Sequence, residues 1–278
     1  MKISIRGVRG SIPTCSSDTE HYGGNTSCID IEEDGWVLVL DGGSGMRQSN
    51  TGNRPANKRV DILLTHLHLD HIMGLGFFKP LYDPQMEVHI WGPASSAQSL
   101  ISRLSRYLSP PLFPVRIRDL LCQLSLHEID NSVFEVGPFT IQSAYVIHPG
   151  PTVGFRITGK HSVFTYIPDH EPALGRQGII KDHKWISGFS LASEADLLLH
   201  DAQYSIEEYK TKIGWGHSSM DDTLLFASRT GVKKLLLAHH DPSHSDEHLN
   251  ELFADLQKMN TYSFDYELAS EGMVIDLP

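Results

Sequence analysis

The sequence predicts an α/β fold in which short strands alternate with helices. Strand-like apolar runs dominate the chain, and helical segments lie between and after them. Two of these runs, 197–199 and 235–237, both read Leu-Leu-Leu, which is typical of strands that are buried on both faces. The 278 residues show no linker, tandem repeat or low-complexity tract. Because α/β folds of this length often form one domain, we expect a single domain over residues 1–278.

The pattern of apolar residues predicts each element in turn. Apolar runs at 28–31 and 36–40 flank Asp34-Gly35, a dipeptide that favours a tight hairpin. We expect 124–129 and 133–136 to form another hairpin. The further strands are expected at 3–5, 60–64, 88–91, 139–147, 153–158, 162–167 and the two leucine runs. The helices are expected at 72–78, 94–108, 219–229 and 244–258, and the polar stretch 49–59 is expected to be exposed.

The composition is that of an ordinary globular protein, with 40% hydrophobic and 21% charged residues. The formal net charge is −11, so the chain lacks the broad basic surface with which proteins grip long nucleic acid. Solubility alone would explain this charge equally well. A bound pair of divalent cations would still draw a small anionic substrate to one site.

The chain carries no sign of export or membrane insertion. Its three cysteines, Cys15, Cys28 and Cys122, are too few and too scattered for a disulfide framework. The chain begins with alternating polarity instead of a signal peptide, and no apolar run of about 20 residues would span a bilayer. We therefore expect a cytoplasmic protein without a membrane partner. The oligomeric state is open, and a homodimer is the commonest assembly of soluble proteins.

One short segment concentrates residues that bind metals. Residues 66–71 read His-Leu-His-Leu-Asp-His and follow the apolar run 60–64. Spaced one apart at a strand end, two imidazoles can converge on one point, and the aspartate and third imidazole of the next turn can face a second point nearby. This spacing predicts a two-metal hydrolytic site.

The remaining ligands are expected at other strand ends. His148, Asp169 and His239 each follow a strand-like run, and strand ends at one edge of a layered α/β fold share a surface. A lone histidine there is more often structural, but a zinc ion usually needs about four ligands. The predicted ligands are His66, His68 and His148 for one metal and Asp70, His71 and His239 for the other, with Asp169 bridging the two.

Such a metal pair lies roughly 3.5–4 Å apart and holds a hydroxide between its members. Binding lowers the pKa of the water from about 15.7 toward 7, which provides a nucleophile at neutral pH. Nitrogen and oxygen ligands without cysteine suit Zn²⁺, and Mn²⁺ or iron would fit too.

His217 lies in the glycine-rich segment 214–219, just before a predicted helix. We assign it as the candidate acid that protonates a departing alkoxide; the alternative is a structural hydrogen bond within the loop. Asp70 is counted with His217 among the catalytic residues. The pattern Gly-x-Ser-x-Gly is absent, which argues against a serine hydrolase.

Several neighbours leave alternatives open. His240 adjoins His239 and His170 adjoins Asp169, and alternation at strand ends predicts that only one of each pair serves the site. Asp41 either orients a ligand histidine or caps a turn. The dipeptide His200-Asp201 is expected to support the ligands by hydrogen bonding.

These residues resemble the metallo-β-lactamase fold superfamily, whose His-x-His-x-Asp-His signature matches residues 66–71. Within it, the likeness is to the branch of ribonuclease Z, bacterial phosphonate-pathway phosphodiesterases and class II cyclic-nucleotide phosphodiesterases. The segments that carry it are Gly7–Pro13, Gly23–Cys28, Asp41–Gly45, His148–Gly150, Gly154–Arg156, Tyr166–Asp169, Gly216–Ser219 and His239–Pro242. The resemblance implies an αββα four-layer sandwich with two metals at one edge, bridged by Asp169, and it places His217 beside the substrate phosphate.

One departure from that branch bears on the substrate. Ribonuclease Z enzymes that bind tRNA carry a long arm between the segments that match 154–156 and Tyr166, whereas here only residues 157–165 separate them. We therefore expect a phosphodiesterase for a small or cyclic phosphodiester. The alternatives are a thioester, lactone or β-lactam hydrolase, a nuclease, and a metal-binding or cofactor-biosynthesis partner without hydrolytic activity.

Overall fold

The fold consists of two seven-stranded mixed sheets that pack face to face in a computed structural model. The structure describes residues 1–49, 57–172, 179, 182–259 and 262–278. Most of the polar stretch 49–59 lies outside the described residues, so its exposure stays a prediction.

The first sheet begins as an antiparallel meander and continues with parallel strands. Its strands are β1 (Lys2–Gly7), β2 (Cys28–Glu33), β3 (Trp36–Leu40), β4 (Arg59–Leu63), β5 (Glu87–Pro93), β6 (Gln123–Ile129) and the C-terminal β14 (Val274–Asp276). β14, β1, β2 and β3 pair antiparallel, and β3 to β6 pair parallel. The hairpin predicted at Asp34-Gly35 is confirmed: the φ angles are 49° and 78°, as a tight hairpin turn requires.

The second sheet repeats this arrangement. Its strands are β7 (Ser132–Val136), β8 (Phe139–Tyr145), β9 (Val153–Thr158), β10 (Val163–Ile167), β11 (Leu197–Asp201), β12 (Lys234–Ala238) and β13 (Asp265–Leu268). β7 to β10 pair antiparallel, and β10 to β13 pair parallel. The two leucine runs lie in β11 and β12 and are buried, which confirms the prediction of buried strands.

The predicted hairpin between 124–129 and 133–136 is wrong. β6 pairs in parallel with β5 at the edge of the first sheet, whereas β7 pairs with β8 in the second. Gly137, with a φ of 54°, forms the turn that lets Val136 pair with Phe139. Apolar alternation specifies a strand but not its partner, and tertiary packing here separates two strands that are neighbours in sequence.

Helices cover the outer faces of both sheets. They are α1 (Leu69–Ile72), α2 (Leu100–Tyr107), α3 (Phe189–Ala192), α4 (Ile206–Tyr209), α5 (Met220–Thr230) and α6 (Asp246–Met259). The last two match their predicted ranges closely. The helix predicted over 94–108 begins only after Ser99, whose side chain accepts a hydrogen bond from the backbone of Ser102. The helix predicted over 72–78 is replaced by α1 and a 3₁₀ turn at Leu75–Phe77.

Three hydrophobic clusters produce four layers. One lies between the sheets and includes Ile31, Phe155 and Leu199. The others lie between each sheet and its helices, where Leu104 packs outside the first sheet and Leu224 outside the second. The fold is therefore the expected αββα sandwich. Among the described residues, we find no helix with the length and apolar character that a membrane crossing requires.

The inter-sheet cluster predicts a large effect of one substitution. Phe155 is fully buried in it, so Phe155→Ala should lower the free energy of unfolding by about 3–5 kcal/mol through lost burial and an unfilled cavity. Urea denaturation measures the change. Val133→Ala is the control, because Val133 is 67% exposed. Equal effects of the two variants would contradict the packing described here.

Candidate metal centre

The ligands predicted from the sequence converge at one edge of the sandwich. Four of them follow β4 in the loop or on α1, and the other three follow β8, β10 and β12. Their ligand atoms form two groups, each within 4.8 Å: His66, His68 and His148, and Asp70, His71, Asp169 and His239. All of them are buried except His68, which is exposed. The two halves of the chain thus meet at this site.

The carboxylate of Asp169 lies between the two groups. Its Oδ2 is 3.7 Å from Nε2 of His66 and 3.8 Å from Nε2 of His148. Its Oδ1 is 3.1 Å from Nε2 of His71 and 3.3 Å from Nδ1 of His239. Each oxygen therefore faces a different group, as a bridging ligand would.

Unpaired buried atoms indicate what the site fits. His66 Nε2, His71 Nε2, Asp169 Oδ1 and His239 Nδ1 are buried and have no hydrogen-bond partner. Leaving one such atom unpaired costs about 1–3 kcal/mol, and here four of them point into one small volume. Imidazole nitrogens and carboxylate oxygens are ligands of divalent cations. The residues present therefore fit divalent metal ions.

The electrostatics of the site favour ionised carboxylates and a neutral His66, whereas the carboxylates of Asp169, Asp70 and Asp41 outweigh burial and raise the pKa of His71. Burial opposes ionisation of Asp169, but His239 and His71 hold the pKa of its carboxyl well below the usual range. Burial likewise opposes ionisation of Asp70, and adjacent His71 lowers its pKa as well. Burial lowers the pKa of His66. Ionised carboxylates and neutral imidazoles are the forms that bind metals.

Asp41 orients two of the candidate ligands. Its Oδ2 accepts a hydrogen bond from Nδ1 of His71 at 2.8 Å and from the hydroxyl of Tyr166 at 2.9 Å. The Thr65 hydroxyl donates to Asp41 and lies 3.1 Å from Nδ1 of His66. Because Nδ1 of each histidine is engaged, Nε2 is left to face Asp169. Of the two roles considered for Asp41, the structure shows the orienting one.

Asp201 holds His217 in place. Nδ1 of His217 donates to Oδ2 of Asp201 at 2.7 Å, and the His217 ring stacks on His239 with 4.8 Å between centroids. Burial would lower the pKa of His217, but the Asp201 carboxylate outweighs burial and raises it to about 9. A ligand atom of His217 lies within 4.8 Å of those of His148 and Asp169. Asp201 thus supports the candidate acid instead of a predicted ligand.

The structure shows which member of each neighbouring pair, His239 with His240 and Asp169 with His170, faces the site. Nε2 of His240 donates to the carbonyl of Ala269 at 2.9 Å, away from the site. Nδ1 of His170 lies 2.9 Å from Nε2 of His200. His239 has a φ of 62°, and this left-handed backbone places its ring against Asp169. His239 and Asp169 are the members of their pairs that face the site.

Sequence reasoning missed three backbone contributions. The N–H of Ser11 donates to Oδ2 of Asp70 at 2.8 Å. The carbonyl of Gly216 accepts from Nδ1 of His148 at 2.8 Å. A Cβ at Gly10 would lie 2.4 Å from the His239 ring, so only glycine fits there. These residues fall in the glycine-rich segments noted above, but side-chain chemistry gives no signal for a backbone role.

The role of Asp41 predicts a loss of metal affinity without loss of fold. Asp41→Asn should bind Zn²⁺, used as the probe, about 10–100-fold more weakly, since the amide no longer holds His71 in its metal-binding orientation. Competition with a chromophoric chelator measures the affinity. Asp34→Asn, in the exposed turn between β2 and β3, is the matched control. An affinity of Asp41→Asn within twofold of wild type would contradict this role.

Known proteins share the sequence pattern and the fold of this chain. A profile described as "Beta-lactamase superfamily domain" matches residues 36–240. Ribonuclease Z of Lactococcus lactis subsp. cremoris (strain MG1363) is 23% identical over 308 aligned positions, covering 95% of this chain and 96% of the relative. The Zn²⁺-bound structure of PqqB from Methylobacterium extorquens has a TM-score of 0.71 at 17% identity and 100% coverage of both chains. A diphosphatase of the PhnP family has a TM-score of 0.70 at 18% identity, covering 100% of this chain and 98% of that one. The chain therefore belongs to the family that this profile describes, the β-lactamase superfamily domain. It is a metal-dependent hydrolase of the metallo-β-lactamase fold.

Proposed function

We propose that this protein is a dinuclear phosphodiesterase that hydrolyses a small or cyclic phosphodiester. The observation that carries the proposal is the Asp169 carboxylate, whose two oxygens face two separate groups of ligand atoms. A site for two cations beside a positioned histidine suits attack at a charged phosphoryl group. The relatives named ribonuclease Z and diphosphatase support phosphate chemistry.

The proposed ligands are those expected from the sequence. His66, His68 and His148 would hold one ion, Asp70, His71 and His239 the other, and Asp169 would join them. When bound, two divalent cations lower the pKa of water toward 7 and neutralise charge on the phosphoryl oxygens. The zinc in the PqqB structure supports zinc here.

His217 and Asp70 have distinct proposed roles. Asp201 fixes the His217 ring through Nδ1, so Nε2 is the atom left to give a proton to the departing oxygen. Asp70 is held by the backbone N–H of Ser11, which orients its carboxylate toward His71 and His239. As a proposed ligand, a fixed Asp70 carboxylate would hold its metal ion in one position relative to His217.

Three features favour a small substrate over a long nucleic acid. Only residues 159–162 connect β9 to β10, closed by a hydrogen bond from Gly159 N–H to the Ser162 carbonyl at 3.0 Å. The net charge is −11, which disfavours extended phosphate contacts. The cavity beside His66 and His68 has a volume of about 400 Å³, a size suited to a small ligand.

A substrate panel tests the proposed function. Zinc-loaded protein should hydrolyse bis-p-nitrophenyl phosphate and at least one of the 2′,3′- or 3′,5′-cyclic nucleotides, and removal of metal by a chelator should abolish this activity. A thioester, a lactone and a precursor RNA complete the panel. Cleavage of the thioester or lactone without any phosphodiester, or of the RNA alone, would refute the proposal.

The role of His217 makes a separate prediction. His217→Ala should retain its metal by elemental analysis yet lose about 10²–10⁴-fold in rate on a substrate with an alkoxide leaving group. The loss should be smaller on bis-p-nitrophenyl phosphate, because p-nitrophenolate leaves without a proton. His161→Ala, at an exposed position, is the control. Loss of metal from His217→Ala would mean that His217 is a ligand and not the acid.

A further inference from the structure

A cavity opens beside the candidate metal ligands and has one charged wall. His66 and His68 line it on one side, and His68 is the exposed member of the ligand set. A substrate can therefore approach from this side. Leu69 and Leu112 also line the cavity and are 54% and 70% exposed. Large apolar side chains this exposed are available for contact with a ligand.

The charged wall is formed by α2. Arg103 and Arg106, one helical turn apart, both line the cavity. Arg103 is already engaged, because it donates to the carbonyl of Pro93 and lies 3.8 Å from Glu128. Arg106 is exposed and has no hydrogen-bond or ion-pair partner within the described part of the chain. The Arg106 guanidinium is therefore available to bind a ligand, and most of the residues that line the cavity with it are apolar.

We propose that the substrate carries a second anionic group, separated from the scissile phosphate by a ring, and that Arg106 binds this second group. The inference rests on the proposed function, since that function places the scissile phosphate at the histidine end of the cavity. The ring then covers Leu69 and Leu112 and removes their apolar surface from water. The guanidinium binds the distal phosphate or carboxylate through paired N–H donors.

The surroundings of Arg106 favour specific binding of one anionic group over a general attraction for anions. The cavity lining includes one other arginine, Arg103, which is already engaged by Pro93 and Glu128, so Arg106 is the arginine of this wall that is left to bind an anion. A phosphate held by a single arginine in an apolar cavity gains a charge-assisted hydrogen bond that is stronger than a neutral one. Nucleotide-type phosphodiesters with two phosphates have the required chemistry, because a ring separates their anionic groups.

A matched pair of chromogenic esters tests the proposal. The probes are thymidine 5′-(p-nitrophenyl phosphate) with a free 3′-hydroxyl and the same ester with a 3′-phosphate. Wild-type kcat/KM should be about tenfold higher for the 3′-phosphorylated ester, which corresponds to about 1.4 kcal/mol. Arg106→Ala should bring the ratio close to one, and Arg106→Lys should keep part of it. Arg118→Ala is the control, because Arg118 is 71% exposed, neighbours Asp119 and does not line the cavity.

Two kinetic outcomes would overturn the proposal. A wild-type ratio near one means that no second anion is recognised. An equal loss on both esters in Arg106→Ala means that the arginine acts at the scissile phosphate. If neither these esters nor the phosphodiesters of the substrate panel are hydrolysed, the proposed function fails, and calorimetry then tests the binding role of Arg106 independently. Zinc-loaded wild type should bind thymidine 3′,5′-bisphosphate about tenfold more tightly than thymidine 5′-phosphate, and Arg106→Ala should not; equal affinities in wild type would overturn the proposal.

Discussion

The buried carboxylate of Asp169 is the group on which the site depends, because it faces ligands from both sheets. One of its oxygens lies 3.1 Å from His71, which follows a strand of the first sheet, and 3.3 Å from His239, which follows a strand of the second. These distances persist only while the two sheets keep their relative position. The inter-sheet cluster around Phe155 provides that constraint, so the hydrophobic packing of the sandwich also sets the geometry of the candidate metal centre.

Each sheet supplies one buried aspartate that orients a histidine. Asp41 follows β3 and accepts from His71 at 2.8 Å; Asp201 ends β11 and accepts from His217 at 2.7 Å. Both aspartates are fully buried, where a charge-assisted hydrogen bond is strong. The same device therefore fixes a candidate metal ligand in one half and the candidate acid in the other.

One outer helix, α2, borders the cavity beside the candidate ligands. The short connection between β9 and β10 leaves the site without an extended arm there, and α2 supplies one wall of the cavity instead. That helix buries Leu100 and Leu104 against the first sheet and turns Arg103 and Arg106 toward the cavity. The amphipathic pattern that anchors the helix thus also places an arginine in the cavity that the candidate metal ligands line.

The amino-acid sequence by itself determined the fold class, the strand ends and the set of ligand types, because these are local: His66 to His71 follow one strand, and leucine runs specify buried strands. Tertiary structure decided the rest. It separated β6 from β7, because apolar alternation does not specify a strand's partner. It turned His239 into the site and His240 toward Ala269, since the left-handed φ of His239 follows from its surroundings and not from its own preference. The support of His71 by Asp41 and of His217 by Asp201 joins residues on different strands, and only the packed sheets bring such partners within hydrogen-bonding distance.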